Sequence, residues 1–137
     1  MELQVGVKIL LKNQDGKYLL LRRSLEKYPE VVSEEWDIVG GRINPGSTLL
    51  ENLKREIKEE IDLDLLGEPK LVAAQDILRS PGKHVVRLTY VGRVSGNPKL
   101  NGDENIDFGW FAMDEIKKME NLDSYFKELL ENGSIIE

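Results

Sequence analysis

The stretch that decides the fold runs from Gly40 to Leu63, GGRINPGSTLLENLKREIKEEIDL. It opens on a glycine-rich loop whose Pro45 and Gly46 are turn formers, then passes into an amphipathic segment. Thr48 and Glu51 have the S/T-x-x-E spacing of a capping box, which predicts a helix starting there. Leu50, Leu53, Ile57 and Ile61 recur at three- and four-residue steps and form its apolar stripe. Glu56, Glu59 and Glu60 project together from a neighbouring side. Like charges on one helix face repel, so something must offset them. Lys54 and Lys58 can do part of this; a divalent cation does it better, because hard cations take oxygen ligands. On the helix alone, a solvated charged face is the commoner outcome.

The loop changes that balance. Together, loop and helix resemble the box of the Nudix hydrolases, G-x5-E-x7-R-E-U-x-E-E-x-G-U, where U is a bulky aliphatic residue. Gly41 takes the first position, and Arg55, Glu56, Ile57, Glu59, Glu60 and Leu63 follow at the required spacings. Two positions depart: Ser47 stands where the first glutamate belongs, and Asp62 where the last glycine belongs. The glycine serves a chain leaving the helix through a left-handed residue, a conformation Asp tolerates, so Asp62 is a mild change. Ser47 is the more serious one. It can hydrogen-bond near a helix start but cannot supply the charge, so altered rate or metal affinity is expected.

Around the box, the chain of 137 residues has the length of one domain, residues 1–137, with a conventional core. It is 40% hydrophobic and 32% charged, an ordinary globular composition. The absence of cysteine excludes disulfides, thiolate metal sites and cysteine nucleophiles. The net charge of −6 argues against extended nucleic-acid binding but not against a small phosphorylated substrate, since bound metal ions invert the local field. No apolar run is long enough for a membrane span and no basic region precedes a signal core, so the expected location is cytoplasmic, without a membrane partner.

Val5 to Lys12 reads as a buried strand, Asn13 to Gly16 as a turn, and Lys17 to Arg23 as the hairpin partner. Ser24 to Glu35 reads as a surface loop, in which Tyr28 could stack on a base but is more often a packed loop aromatic. Trp36 to Val39 is a short strand feeding the glycines. Gly67 to Pro69 punctuates the chain; Leu71 to Leu78 and His84 to Val94 read as strands joined at a tip. His84, the lone histidine, reads as a surface residue outside the site. A short strand around Trp110 precedes a helix from Glu115 to Met119 with Asp114 as its cap, and Leu122 to Leu130 is a closing amphipathic helix.

The resemblance implies an α/β protein, a Nudix-type α/β/α sandwich with a mixed sheet between helices. It implies a magnesium-dependent hydrolase, with manganese as the alternative ion, that cleaves the pyrophosphate linkage of a nucleoside diphosphate joined to another moiety. Family register makes Glu56 and Glu60 metal ligands, Glu59 a further ligand or the base, and the Gly40 carbonyl a ligand at the loop. Arg55 is expected to orient a carboxylate. Similar proteins carry a metal-binding or catalytic glutamate six residues before a tryptophan, where Glu104 precedes Trp110. They also carry a phosphate-contacting arginine at the end of the second strand, where Arg22 and Arg23 stand, Arg23 preferred. Members are monomers or homodimers. The alternative reading is a catalytically weakened Nudix fold that binds or senses a nucleotide, favoured by Ser47 and disfavoured by the intact acid cluster.

Overall fold

The computed structural model describes residues 1–136. Its elements in order are β1 (Glu2–Lys12), β2 (Tyr18–Arg23), β3 (Trp36–Asp37), β4 (Val39–Arg42), α1 (Leu49–Ile61), β5 (Leu65–Ile77), β6 (Lys83–Val94), β7 (Asn105–Phe111), α2 (Met113–Lys117) and α3 (Ser124–Glu131), with one 3-10 turn at Pro29–Val31. The strands form one mixed, curled sheet in the order β3-β2-β1-β6-β5, with β4 added to β1 and β7 to β2. β1 is central. It pairs in parallel with β6 along its whole length, and its other side is held by β4 and then, at Lys12, by β2.

Alternation along β1 and β2 builds the two layers. Val7, Ile9, Leu11, Leu19 and Leu21 turn to one face and pack on Leu53, Ile57 and Ile61 of α1. Leu10, Tyr18 and Leu20 turn to the other and pack on Met113, Ile116, Phe126 and Leu129 of α2 and α3. Helices therefore cover both faces, as the sequence leads one to expect. Among the described residues, no helix is long and apolar enough to cross a membrane.

Several boundaries differ from the sequence reading. β1 begins at Glu2 instead of Val5, the strand read from Trp36 to Val39 is split into β3 and β4, and α2 ends at Lys117 instead of Met119. Three further differences have a local cause. β5 starts at Leu65 instead of Leu71, because Gly67 and Pro69 are absorbed by irregular pairing with β6. An edge strand tolerates them there. α2 is capped at Ala112, not Asp114, and the Glu115 carboxylate reaches back to accept the Ala112 N–H at 2.8 Å. α3 starts at Ser124, two residues after Leu122, behind the buried cap Asp123, whose carboxylate accepts the Phe126 N–H.

Candidate active site

The capping box at the start of α1 is present in full: Thr48 Oγ1 accepts the Glu51 N–H and Glu51 Oε1 accepts the Thr48 N–H. Behind it, the buried Asn52 ties the loop to the helix. Its amide donates to the Ser47 and Thr48 carbonyls, and its oxygen accepts from Asn44 N–H and Arg55 Nη2. At the far end, Asp62 sits at φ 55°, the left-handed position the box reserves for glycine. The helix is thus fixed at both ends before its carboxylates are considered.

Those carboxylates meet the two glycines of β4. Ile43 N–H donates to Val5 O, so by antiparallel alternation Val7 and Gly41 form a hydrogen-bonded pair, and Lys8 and Gly40 do not. The Gly40 N–H is thereby left for another partner, and Glu60 Oε2 accepts it at 2.9 Å. A Cβ on Gly41 would lie 2.7 Å from Glu56 Oε1, so the Glu56 carboxylate fills the space a side chain would take. Arg55 spans Glu56 at 2.9 Å, Glu59 at 3.2 Å and the Arg42 carbonyl at 3.0 Å, which locks the cluster to β4 from behind.

Burial pushes the Glu60 carboxyl up to about 8; Lys8 and the Gly40 N–H pull the other way, while the charges of Glu56 and Glu104 raise it further. Glu56 is also raised, chiefly by burial, with Arg55 opposing. Glu59 is exposed and lies at the rim. Among the described residues, no three acidic or histidine side chains converge closely enough to cage an ion as they stand. The donor set nevertheless suits a hard divalent cation: two desolvated carboxylates repel across a glycine gap, and neither has a full counter-charge. That electrostatic deficit is the stronger indication, because carboxylate rotamers adjust to an ion and burial does not.

These groups open on a cleft of about 980 Å³. Glu56, Glu59, Glu60 and Glu104 line it together with Gly40 and Arg23. Arg22 does not; adjacent strand residues point to opposite faces, and Arg22 pairs with Glu35 at 3.3 Å. Arg23 is engaged, donating from Nη2 to the Glu34 carbonyl and standing 3.4 Å from Asp123. Glu104 and Tyr28 are neighbours in the lining, where burial first and the Glu104 charge second raise the Tyr28 hydroxyl. Trp110 is half-buried and packs against the α1 side of the core.

The opposite wall was not foreseen. Lys8 Nζ lies 2.9 Å from Asp37, and Arg87 lies 2.8 Å from Asp123, which is fully buried. Burial opposes ionisation of Asp37, but Lys8, Arg87 and Arg23 together hold it below the usual carboxylate range. Arg42 has its own ionisation lowered, by burial and then by the Arg87 charge. One signal was available: Lys8 is the single charge inside the apolar run VGVKILL. Arg42, Arg87 and Asp123 carried none, since only folding brings them together.

The NUDIX domain model matches residues 2–131. No curated protein sequence matches the chain. Among solved structures, the chain is similar to a MutT protein from Methanosarcina mazei Go1, with 28% identity, a TM-score of 0.79, and 95% of this chain and 91% of that one covered. It is also similar to a MutT NUDIX hydrolase from Burkholderia pseudomallei, with 29% identity, a TM-score of 0.70, and coverage of 83% and 86%. A UDP-X diphosphatase aligns over 96% of this chain and 61% of its own at 22% identity and a TM-score of 0.71, which shows a shared fold.

Proposed function

The chain belongs to the NUDIX family, pyrophosphohydrolases acting on nucleoside diphosphate derivatives, and from that premise we propose a magnesium-dependent hydrolysis at its acid-lined cleft. The substrate is a nucleoside diphosphate linked to a second moiety, taken up by one domain. Carrying this reading is the buried Glu56–Glu60 pair, held against Gly40 and Gly41; its nearest ion-pair partner, Arg55, is shared with Glu59. Glu56 and Glu60, with the Gly40 carbonyl that the register leaves without a β1 partner, would hold the cation, and Glu59 would add a ligand or a base. Manganese would serve the same donors. A bound ion lowers the pKa of water and neutralises charge developing on the phosphate.

The chain's own residues do the rest. Arg55 keeps the carboxylates aimed at the loop. Glu104 stands across the cleft, where it can hold or accept a proton. Arg23 offers a planar fork at the substrate wall, with Arg22 behind it on the other face. The test is release of phosphate or mononucleotide from a panel of nucleoside diphosphate derivatives with magnesium, then manganese. Turnover abolished by Glu60→Gln is expected; a folded protein inert on the whole panel would overturn the assignment.

The second reading, a binding module with little turnover, rests on Ser47, an exposed residue on the loop before the cap. Ser47→Glu discriminates. A large gain from a near-zero background supports the weakened site, and an unchanged rate supports a competent one.

A further inference from the structure

Gly6 sits in the middle of β1, a place where glycine weakens a strand unless something approaches closely. Its φ is not in the left-handed range and a Cβ would meet nothing nearer than 3.6 Å, so neither backbone nor packing calls for glycine here. Its neighbours supply a reason. Gly6 pairs with Arg42 of β4 on one side and with Arg87 of β6 on the other. Partners in a row share a face, so two arginines flank a position that has no side chain. By the alternation described above, Gly6–Arg42 is the close, non-hydrogen-bonded kind of pair. All three residues line the cleft.

Charge on this wall is unbalanced. Lys8, Arg23 and Arg87 share two carboxylates, Asp37 and Asp123. Among the described residues, Arg42 makes no salt bridge; its only side-chain hydrogen bond goes to the neutral Gln4 at 2.9 Å. Arg87 is mostly buried and held in place by Asp123 and by the Tyr125 ring, 5.2 Å away. Arg42 is exposed, yet partial desolvation and then the nearby Arg87 charge lower its ionisation, against the weaker opposing effect of Glu2.

We propose that the depression formed by Arg42, Gly6 and Arg87 is an anion subsite that takes a phosphate group of the substrate other than the one under attack. Two residues along β1 separate it from the Lys8–Gly40 row where Glu60 is anchored, roughly 7 Å of strand. That offset exceeds the spacing of directly bridged phosphates and suits a phosphate carried further along the substrate, on the attached moiety. The inference rests on the proposed reading that the cleft takes a phosphate-bearing nucleotide derivative, and it adds the condition that a second anion is read separately from the acid cluster.

Binding of inorganic phosphate and of a nucleoside monophosphate, measured by calorimetry in EDTA, tests it without metal or turnover. The wild type should bind both, with an affinity that falls as salt rises. Gly6→Asp places a carboxylate between the arginines; phosphate binding should fall at least tenfold while the melting temperature rises above that of the isosteric Gly6→Asn. Arg42→Gln, at an exposed side chain, should fold normally and also bind phosphate at least tenfold more weakly. With an active substrate from the panel, Gly6→Asp should raise KM and leave kcat nearly unchanged. The subsite is overturned if wild type does not bind phosphate in EDTA, or if Gly6→Asp and Arg42→Gln bind it as wild type does. Phosphate binding in a protein inert on every substrate would uphold the subsite and overturn the hydrolase instead.

Discussion

Gly40 and Gly41 stand side by side and fail differently when a methyl group is added. At Gly40, with φ 146°, a Cβ would lie 2.1 Å from the Val7 carbonyl, which is backbone in the centre of the sheet and cannot yield. Gly40→Ala is expected to lose at least about 3 kcal/mol of stability by urea unfolding. At Gly41 the obstacle is the flexible end of Glu56, so Gly41→Ala should fold, melt near wild type, and lose magnesium binding. Glu60 gives a pH signature. Its ordinary value is 4.5 and its folded value about 8, so between them the folded state holds the extra proton. Stability of the metal-free protein should therefore fall as pH rises from about 4.5 to about 8, by on the order of 3–5 kcal/mol. Glu60→Gln should flatten that loss in EDTA and abolish stabilisation by magnesium; an identical pH–melting profile would remove the assignment. The spacing of the box is enough to single out Glu56 and Glu60. The groups that tune Glu60 from outside its helix, Lys8, Gly40 and Glu104, lie on three other segments, so each could be singled out in the sequence but their meeting at Glu60 could not.

Local chemistry and local geometry agree best along α1. The S/T-x-x-E pair was legible at Thr48 and Glu51 because a capping box needs only four consecutive residues. Asp62 was legible for the same reason: departure from a helix through a left-handed residue is decided within one turn. Asp62→Gly should be neutral or stabilising by up to about 0.5 kcal/mol in thermal melts, the relief of φ 55° outweighing loss of the exposed Lys58 pair. The start of β5 was not legible, since Gly67 and Pro69 are turn residues in isolation and become strand only because β6 supplies a partner. The α2 cap failed for a similar reason. Asp114 has the right chemistry, yet Glu115 can satisfy the Ala112 N–H from inside the helix.

At the scale of the molecule, the buried carboxylate of Asp123 joins the two halves of the design: it caps α3 and holds Arg87 of the cleft wall. Asp123→Asn keeps the shape but leaves Arg87 and Arg23 short of a counter-charge, at a cost of about 3–5 kcal/mol, read from chemical denaturation. Sheet order itself was beyond sequence reading, because nothing in VGVKILL indicates that its full-length partner is HVVRLTYVG. That pairing has a consequence for synthesis on the ribosome. β1 is made well before β6, and its parallel neighbour is complete only when Val94 has emerged. Until then the strand that becomes the centre of the sheet has one long flank open, exposing an apolar run to other nascent chains. Stalled chains ending before Lys83 should remain protease-sensitive, and resistance should arrive in one step once β6 clears the exit tunnel.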